Sequence, residues 1–173
     1  IHSGVTSHTN NLLELDMIDL ERGIEYSGLR TPLAGDYQVS NIRTFLAIAS
    51  VLEKHNIVPL SKPVIYSALE KVITNTGMQG RWQTLNEKPL IIADTGHNEA
   101  GLKYIVQQLE RLNYKKLHFV LGMVSDKEID QLLKMLPSTA TYYFCKADIP
   151  RALDANTLYE KAKSVGLSGK VYT

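Results

Sequence analysis

The chain has 173 residues, 44% of them hydrophobic and 21% charged, which is ordinary for a globular chain of one good-sized domain or a small domain plus part of another. Its 19 basic and 18 acidic residues leave a formal charge of +1, which argues against a nucleic-acid partner, since a phosphate backbone calls for a strongly basic face. No apolar run reaches the roughly 18 residues of a membrane span, so no membrane role is expected.

The opening Ile1-His2-Ser3-Gly4 shows neither an initiator Met nor a signal pattern, so the chain is expected to be processed or cut from something longer. The first forty residues read as strands and turns. Leu12 to Ile18 alternates imperfectly, Arg22-Gly23 signals a turn, and Ile24 to Leu29 follows. Pro32 to Asp36 breaks the pattern. From Ser40 onward Ile42, Phe45, Leu46, Ile48, Ala49 and Leu52 recur at helical spacing, with Ser40 or Asn41 as cap. A second helix is predicted from Pro63 to about Thr74, where Pro63 suits a first helical position. The polar stretch Asn75 to Gly80, with its two glycines, is the candidate interdomain hinge.

Beyond it, Trp82 to Leu85 reads as a strand and Asn86-Glu87-Lys88 as a turn. The short apolar run Pro89 to Ala93 reads as a strand buried on both faces. Helices are predicted at Glu99 to Leu112, Lys127 to Leu136 and Asn156 to Val165, strands at Leu117 to Leu121 and Thr139 to Cys145, and a last strand from Lys170. The sole cysteine, Cys145, reads as a buried strand residue and, unpaired, fits a reducing cytoplasm. Alternation of this kind predicts an α/β fold, a mostly parallel Rossmann-like sheet flanked by helices on both faces.

Ligands of open parallel sheets gather at the carboxyl ends of the strands. Three polar clusters are expected there, on one edge: Asp94 to Glu99, Gly122 to Lys127 and Lys146 to Arg151. On residue type alone Asp94 suits either ribose hydroxyls or the capping of the next helix. His97 suits a ligand shared with Asp94 or a plain hydrogen bond, with no further His or Cys at metal-ligand spacing. Arg81 suits a phosphate or open solvent.

Four ordered strings carry a resemblance: Gly80-Arg81-Trp82-Gln83, Ile91 to Asn98, Gly122 to Lys127, and Pro150-Arg151. Together they resemble folylpolyglutamate synthase/dihydrofolate synthase, of the Mur ligase superfamily, whose strings read P-G-R-[FWL]-[EQ], D-G-A-H-N-P, G-x-x-x-D-K and P-R. Leu33 to Asn41 is similar to the family's L-x-G-x-H-Q-x-x-N. Tyr37 stands where the family often has His, Thr95-Gly96 replaces Gly-Ala, and Glu99 replaces Pro.

The resemblance implies that residues 1–78 are the end of the central ATPase domain and residues 79–173 a Mur-type carboxyl-terminal domain. It implies Asn41 and Arg81 on ATP phosphates, Asp94 on the ribose and His97 near the nucleotide. Lys127 and Arg151 would face glutamate or folate, and His97 and Lys127 are the candidates for a catalytic role. The implied substrates are ATP, L-glutamate and dihydropteroate or a reduced folate. The implied enzyme is a cytoplasmic monomer whose Mg2+ ligands lie outside this chain.

No G-x-x-x-x-G-K-[ST] phosphate loop occurs. The resemblance places that loop in the preceding domain and implies one or two further strands past Thr173, so the chain is expected to be truncated at both ends and inactive alone. Two other readings stay open at this point: a peptidoglycan-precursor ligase of the same superfamily, and a nucleotide-binding module without chemistry. The module predicts a G-x-G-x-x-G turn, which Asp94 to Glu99 does not supply.

Overall fold

The computed structural model describes residues 1–9, 11–125 and 129–172. They form two compact units, Ile1–Thr95 and Gly96–Thr173.

In the first unit, β1 (His2–Thr9), β2 (Leu12–Asp19) and β3 (Ile24–Thr31) make an antiparallel sheet in that order. β2 alternates strictly, burying Leu13, Leu15, Met17 and Asp19, as a strand with one face on a core should. The helices α1 (Gln38–Lys54) and α2 (Lys62–Glu70) close that core with Ile42, Leu46, Ile65 and Leu69.

Two helix boundaries depart from the sequence-based expectation. α1 begins two residues before Ser40, with Tyr37 as its cap, because backbone hydrogen bonds from Gln38 to Gly35 and from Val39 to Asp36 start the turn early. The predicted helix from Pro63 to Thr74 is two pieces. α2 stops at Glu70, and α3 (Val72–Thr76) restarts after Lys71, whose dihedrals of −99° and 12° interrupt the ladder.

The apolar run at Leu90 is also corrected. β4 (Gln83–Glu87) and β5 (Leu90–Ala93) pair antiparallel, Glu87 opposite Leu90. Leu90 and Ile91 are 52% and 46% exposed. A connection of only Lys88-Pro89 turns the chain straight back, so the run pairs with its neighbour in sequence instead of entering the parallel sheet. The hairpin belongs with the first unit: Asn11 Nδ2 donates to Glu87 Oε1 at 3.2 Å, and Thr84 Oγ1 to Asn11 Oδ1 at 3.3 Å.

The second unit alternates helix and strand as expected: α4 (Glu99–Glu110), β6 (His118–Leu121), α5 (Ile129–Lys134), β7 (Thr141–Phe144), α6 (Ala155–Ser164) and β8 (Ser168–Val171). Its sheet is parallel, ordered β6-β7-β8, with His118, Thr141 and Ser168 in register. The fold is the α/β class predicted, a parallel sheet with helices. Tyr142 and Phe144 point into a core built with Leu102, Leu132, Leu133, Leu158 and Ala162. Val120 lies on the other face and is 74% exposed. Asn98 and Asp154 cap α4 and α6, Asn98 through its side-chain oxygen on the Gly101 N–H.

Since β5 pairs with β4, the three polar clusters do not share one sheet edge. Those after β6 and β7 do. The Ser125 N–H donates to the Arg151 carbonyl at 2.8 Å, Leu153 N–H to Met123 at 2.8 Å, and Val124 bridges Ala152.

Candidate functional site

Two of the motifs close on each other inside the first unit. The turn at Gly80 is held by Thr95, whose N–H and Oγ1 both donate to the Gly80 carbonyl, at 2.9 and 3.1 Å. The Gly80 N–H donates to Gln83 Oε1 at 3.0 Å. Gly80 has φ of +67°, and a Cβ there would stand 2.6 Å from Thr95 Cγ2, so both conformation and space call for glycine.

Trp82 is also left-handed, at φ +51°, which costs a bulky residue on the order of 1–3 kcal/mol. Its indole is only 6% exposed, and that burial offsets the strain. The conformation aims the Trp82 N–H at Asp94 Oδ2, 2.7 Å away. The same oxygen accepts from Tyr37 Oη at 2.9 Å. Arg81 Nη1 donates to Thr95 Oγ1 and, at 3.4 Å, to the Gly80 carbonyl.

The result is a half-buried carboxylate and a guanidinium held in one network by neighbouring residues. Planar cations suit phosphate oxygens, and fixed carboxylates suit hydroxyl donors. Burial, the bond to Asp94 and that carboxylate's charge push the Tyr37 hydroxyl above the ordinary tyrosine range, while the Arg81 guanidinium acts the other way. Tyr37 therefore remains a donor at neutral pH.

The remaining predicted residues lie as follows. Asn41 is exposed on the first turn of α1, its Nδ2 donating 2.8 Å to Oε1 of the buried Gln38. His97 is exposed, in the second unit, directly before the α4 cap. Arg151 is exposed, its carbonyl held by Ser125. Lys127 lies outside the described residues. The structure thus joins Arg81 and Asp94 in one network, and Arg151 with the Gly122–Ser125 loop in another. Among the described residues no group of three or more His, Cys, Asp or Glu is placed to hold a metal ion, and no helix is long and apolar enough to cross a membrane.

Sequence reasoning missed the partners: Tyr37, read only as a departure from His, and Thr95, read only as a replacement for Gly. A signal existed in Gly35-Asp36-Tyr37, an aromatic at a helix cap, where Ser, Thr, Asp or Asn is usual.

Residues 80–173 match the family described as Mur ligase, glutamate ligase domain. This chain belongs to the Mur ligase family. Among its curated relatives is the dihydrofolate synthase/folylpolyglutamate synthase of Bacillus subtilis, 29% identical over 140 residues, which cover 80% of this chain and 32% of the relative. A probable bifunctional folylpolyglutamate synthase/dihydropteroate synthase of Haloferax volcanii is 26% identical over 82% of this chain and 16% of the relative. In fold, the chain is similar to Mycobacterium tuberculosis folylpolyglutamate synthase, solved with ADP and AMPPCP, with a TM-score of 0.79 and 24% identity over 98% of this chain and 37% of that one. This Mur ligase chain therefore spans about a third, or less, of the length of these proteins.

Proposed function

We propose that this chain is the carboxyl-terminal part of an ATP-dependent ligase that joins L-glutamate to dihydropteroate, to folates, or to both. The observation that carries the reading is the network at Gly80, which holds Arg81 and Asp94 together across two motifs distant in sequence. The Mur family match and relatives named as folylpolyglutamate and dihydrofolate synthases support it.

In this reading a substrate carboxylate attacks the γ-phosphorus of ATP, ADP leaves, and an acyl phosphate forms. The glutamate amine then attacks the acyl carbon, gives up a proton, and phosphate departs with the bonding pair. A carboxylate is a poor electrophile, and phosphorylation supplies the leaving group. Such chemistry depends on positioning and charge neutralisation. Arg81 neutralises phosphate oxygens, with Asn41 assisting. Asp94 accepts from the ribose hydroxyls, and His97 is assigned to the nucleotide by the family resemblance of its motif. The strings Gly122 to Lys127 and Pro150-Arg151 assign Lys127 and Arg151 to the glutamate or folate through the family resemblance. The phosphate loop and the magnesium ligands come from sequence outside this chain, and the ligase works in the cytoplasm.

The test uses the intact ligase carrying this sequence. With dihydropteroate or tetrahydrofolate as acceptor, Arg81→Ala should reduce turnover at saturating ATP roughly a hundredfold, the scale of removing one preorganised group from a developing charge. Normal turnover would remove the role given to Arg81, and glutamate transfer only to a muramyl-peptide precursor would replace the folate assignment.

A further inference from the structure

We infer that Tyr37 is a positioning residue for the nucleotide: its hydroxyl presets the rotamer of the Asp94 carboxylate so that Asp94 meets the ligand already oriented. The inference deepens the proposed function and rests on it for the role of Asp94.

Tyr37 occupies the N-cap of α1, yet its side chain makes no capping bond there, and its own backbone is already helical at φ −62° and ψ −16°. Tyrosine therefore contributes nothing to the helix start that Ser, Thr, Asp or Asn would contribute. Its ring folds back over Gly35, where a Cβ would stand 2.5 Å from Tyr37 Cε1. Space for that ring is thus built into the preceding turn. The ring carries the hydroxyl to Asp94 Oδ2, 57 residues away in sequence.

A second departure from local preference ends on the same atom. Trp82, left-handed and buried, presents its N–H to Asp94 Oδ2 at 2.7 Å. Two elements, each departing from its favoured local choice, converge on one carboxylate oxygen. Local rules are broken in this way where a site requires it. Two donors on one oxygen fix the carboxylate plane, and a carboxylate oriented in advance gives up no rotamer freedom when a ligand arrives. The Tyr37–Asp94 bond is part-buried, so a solvent donor that replaced the hydroxyl there would do so in a better-screened setting and at lower strength.

The experiment compares Tyr37→Phe, Tyr37→His, Asp94→Ala and the Tyr37→Phe/Asp94→Ala double variant in the intact ligase, reading ATP KM, kcat and thermal midpoint for each. Tyr37→Phe keeps the ring and removes one oxygen. It should raise the ATP KM about tenfold, the scale of one hydrogen bond to a charged group, with kcat changed less than about twofold. Tyr37→His, whose ring N–H supplies a donor, should recover at least half of that loss. With Asp94→Ala in place, Tyr37→Phe should add nothing, because the carboxylate it orients is gone.

An unchanged KM in Tyr37→Phe, alongside a raised KM in Asp94→Ala, overturns the assignment of Tyr37 and leaves the role of Asp94 standing. A loss confined to the thermal midpoint, or an equal KM effect with and without Asp94, also overturns it by making Tyr37 merely structural. An unchanged KM in Asp94→Ala overturns the ribose role first, and this inference with it.

Discussion

Replacing Gly80 with alanine separates two costs that the structure places at one position. An alanine at φ +67° carries about 1–2 kcal/mol of left-handed strain, less about 0.4–1 kcal/mol regained from the stiffer unfolded chain. Its Cβ would also stand 2.6 Å from Thr95 Cγ2, and relieving such overpacking costs about 1–3 kcal/mol. The expected net loss is about 2–3 kcal/mol. Thr95→Ser removes the methyl but keeps the hydroxyl that bonds Gly80 and Arg81. In that background Gly80→Ala should cost only the strain, about 1 kcal/mol. Urea titration followed by fluorescence of Trp82, the only tryptophan, reads the first unit at the altered turn. With slopes of about 1–3 kcal/mol/M, the midpoint should fall by about 0.7–3 M in the wild-type background. An equal cost in both backgrounds would refute the Thr95 contact, and a gain in stability would refute the left-handed turn.

Two other expectations concern the second unit. Leu158→Ala deletes a fully buried side chain between α6 and the sheet, so guanidinium unfolding followed by circular dichroism should show a loss of about 2–5 kcal/mol. Backbone N–H groups of Thr157 and Asn156 hold the Asp154 carboxyl below its ordinary value. Its capping contribution is thus fully present above about pH 4, the unfolded-chain value, and is lost as pH falls through the lower folded value. The thermal midpoint of Asp154→Ala should lie below wild type at pH 7 and converge with it as pH falls through the lowered folded value.

Much of the second unit was legible because its elements are local statements. Leu102, Ile105 and Leu109 at helical spacing bury one face of α4, and Tyr142 and Phe144 alternate on β7. The charged motifs after β6 and β7 were legible as loops for the same reason, and their shared edge followed from parallel topology. The run at Leu90 was misread because a short apolar segment has the same composition in a doubly buried strand and in an exposed hairpin. What separates those cases is the hydrogen-bond partner, and the partner was β4.

At the site the division is sharper. Residue types left Arg81 and Asp94 open between a ligand and a plain structural role, and the ordered motifs nominated them through the family resemblance. Tyr37, Thr95 and the Trp82 N–H entered only with the folded chain. Each acts through a bond to residues 12 to 57 positions away, and the direction of a side chain across such a distance is set by packing, which no local pattern encodes.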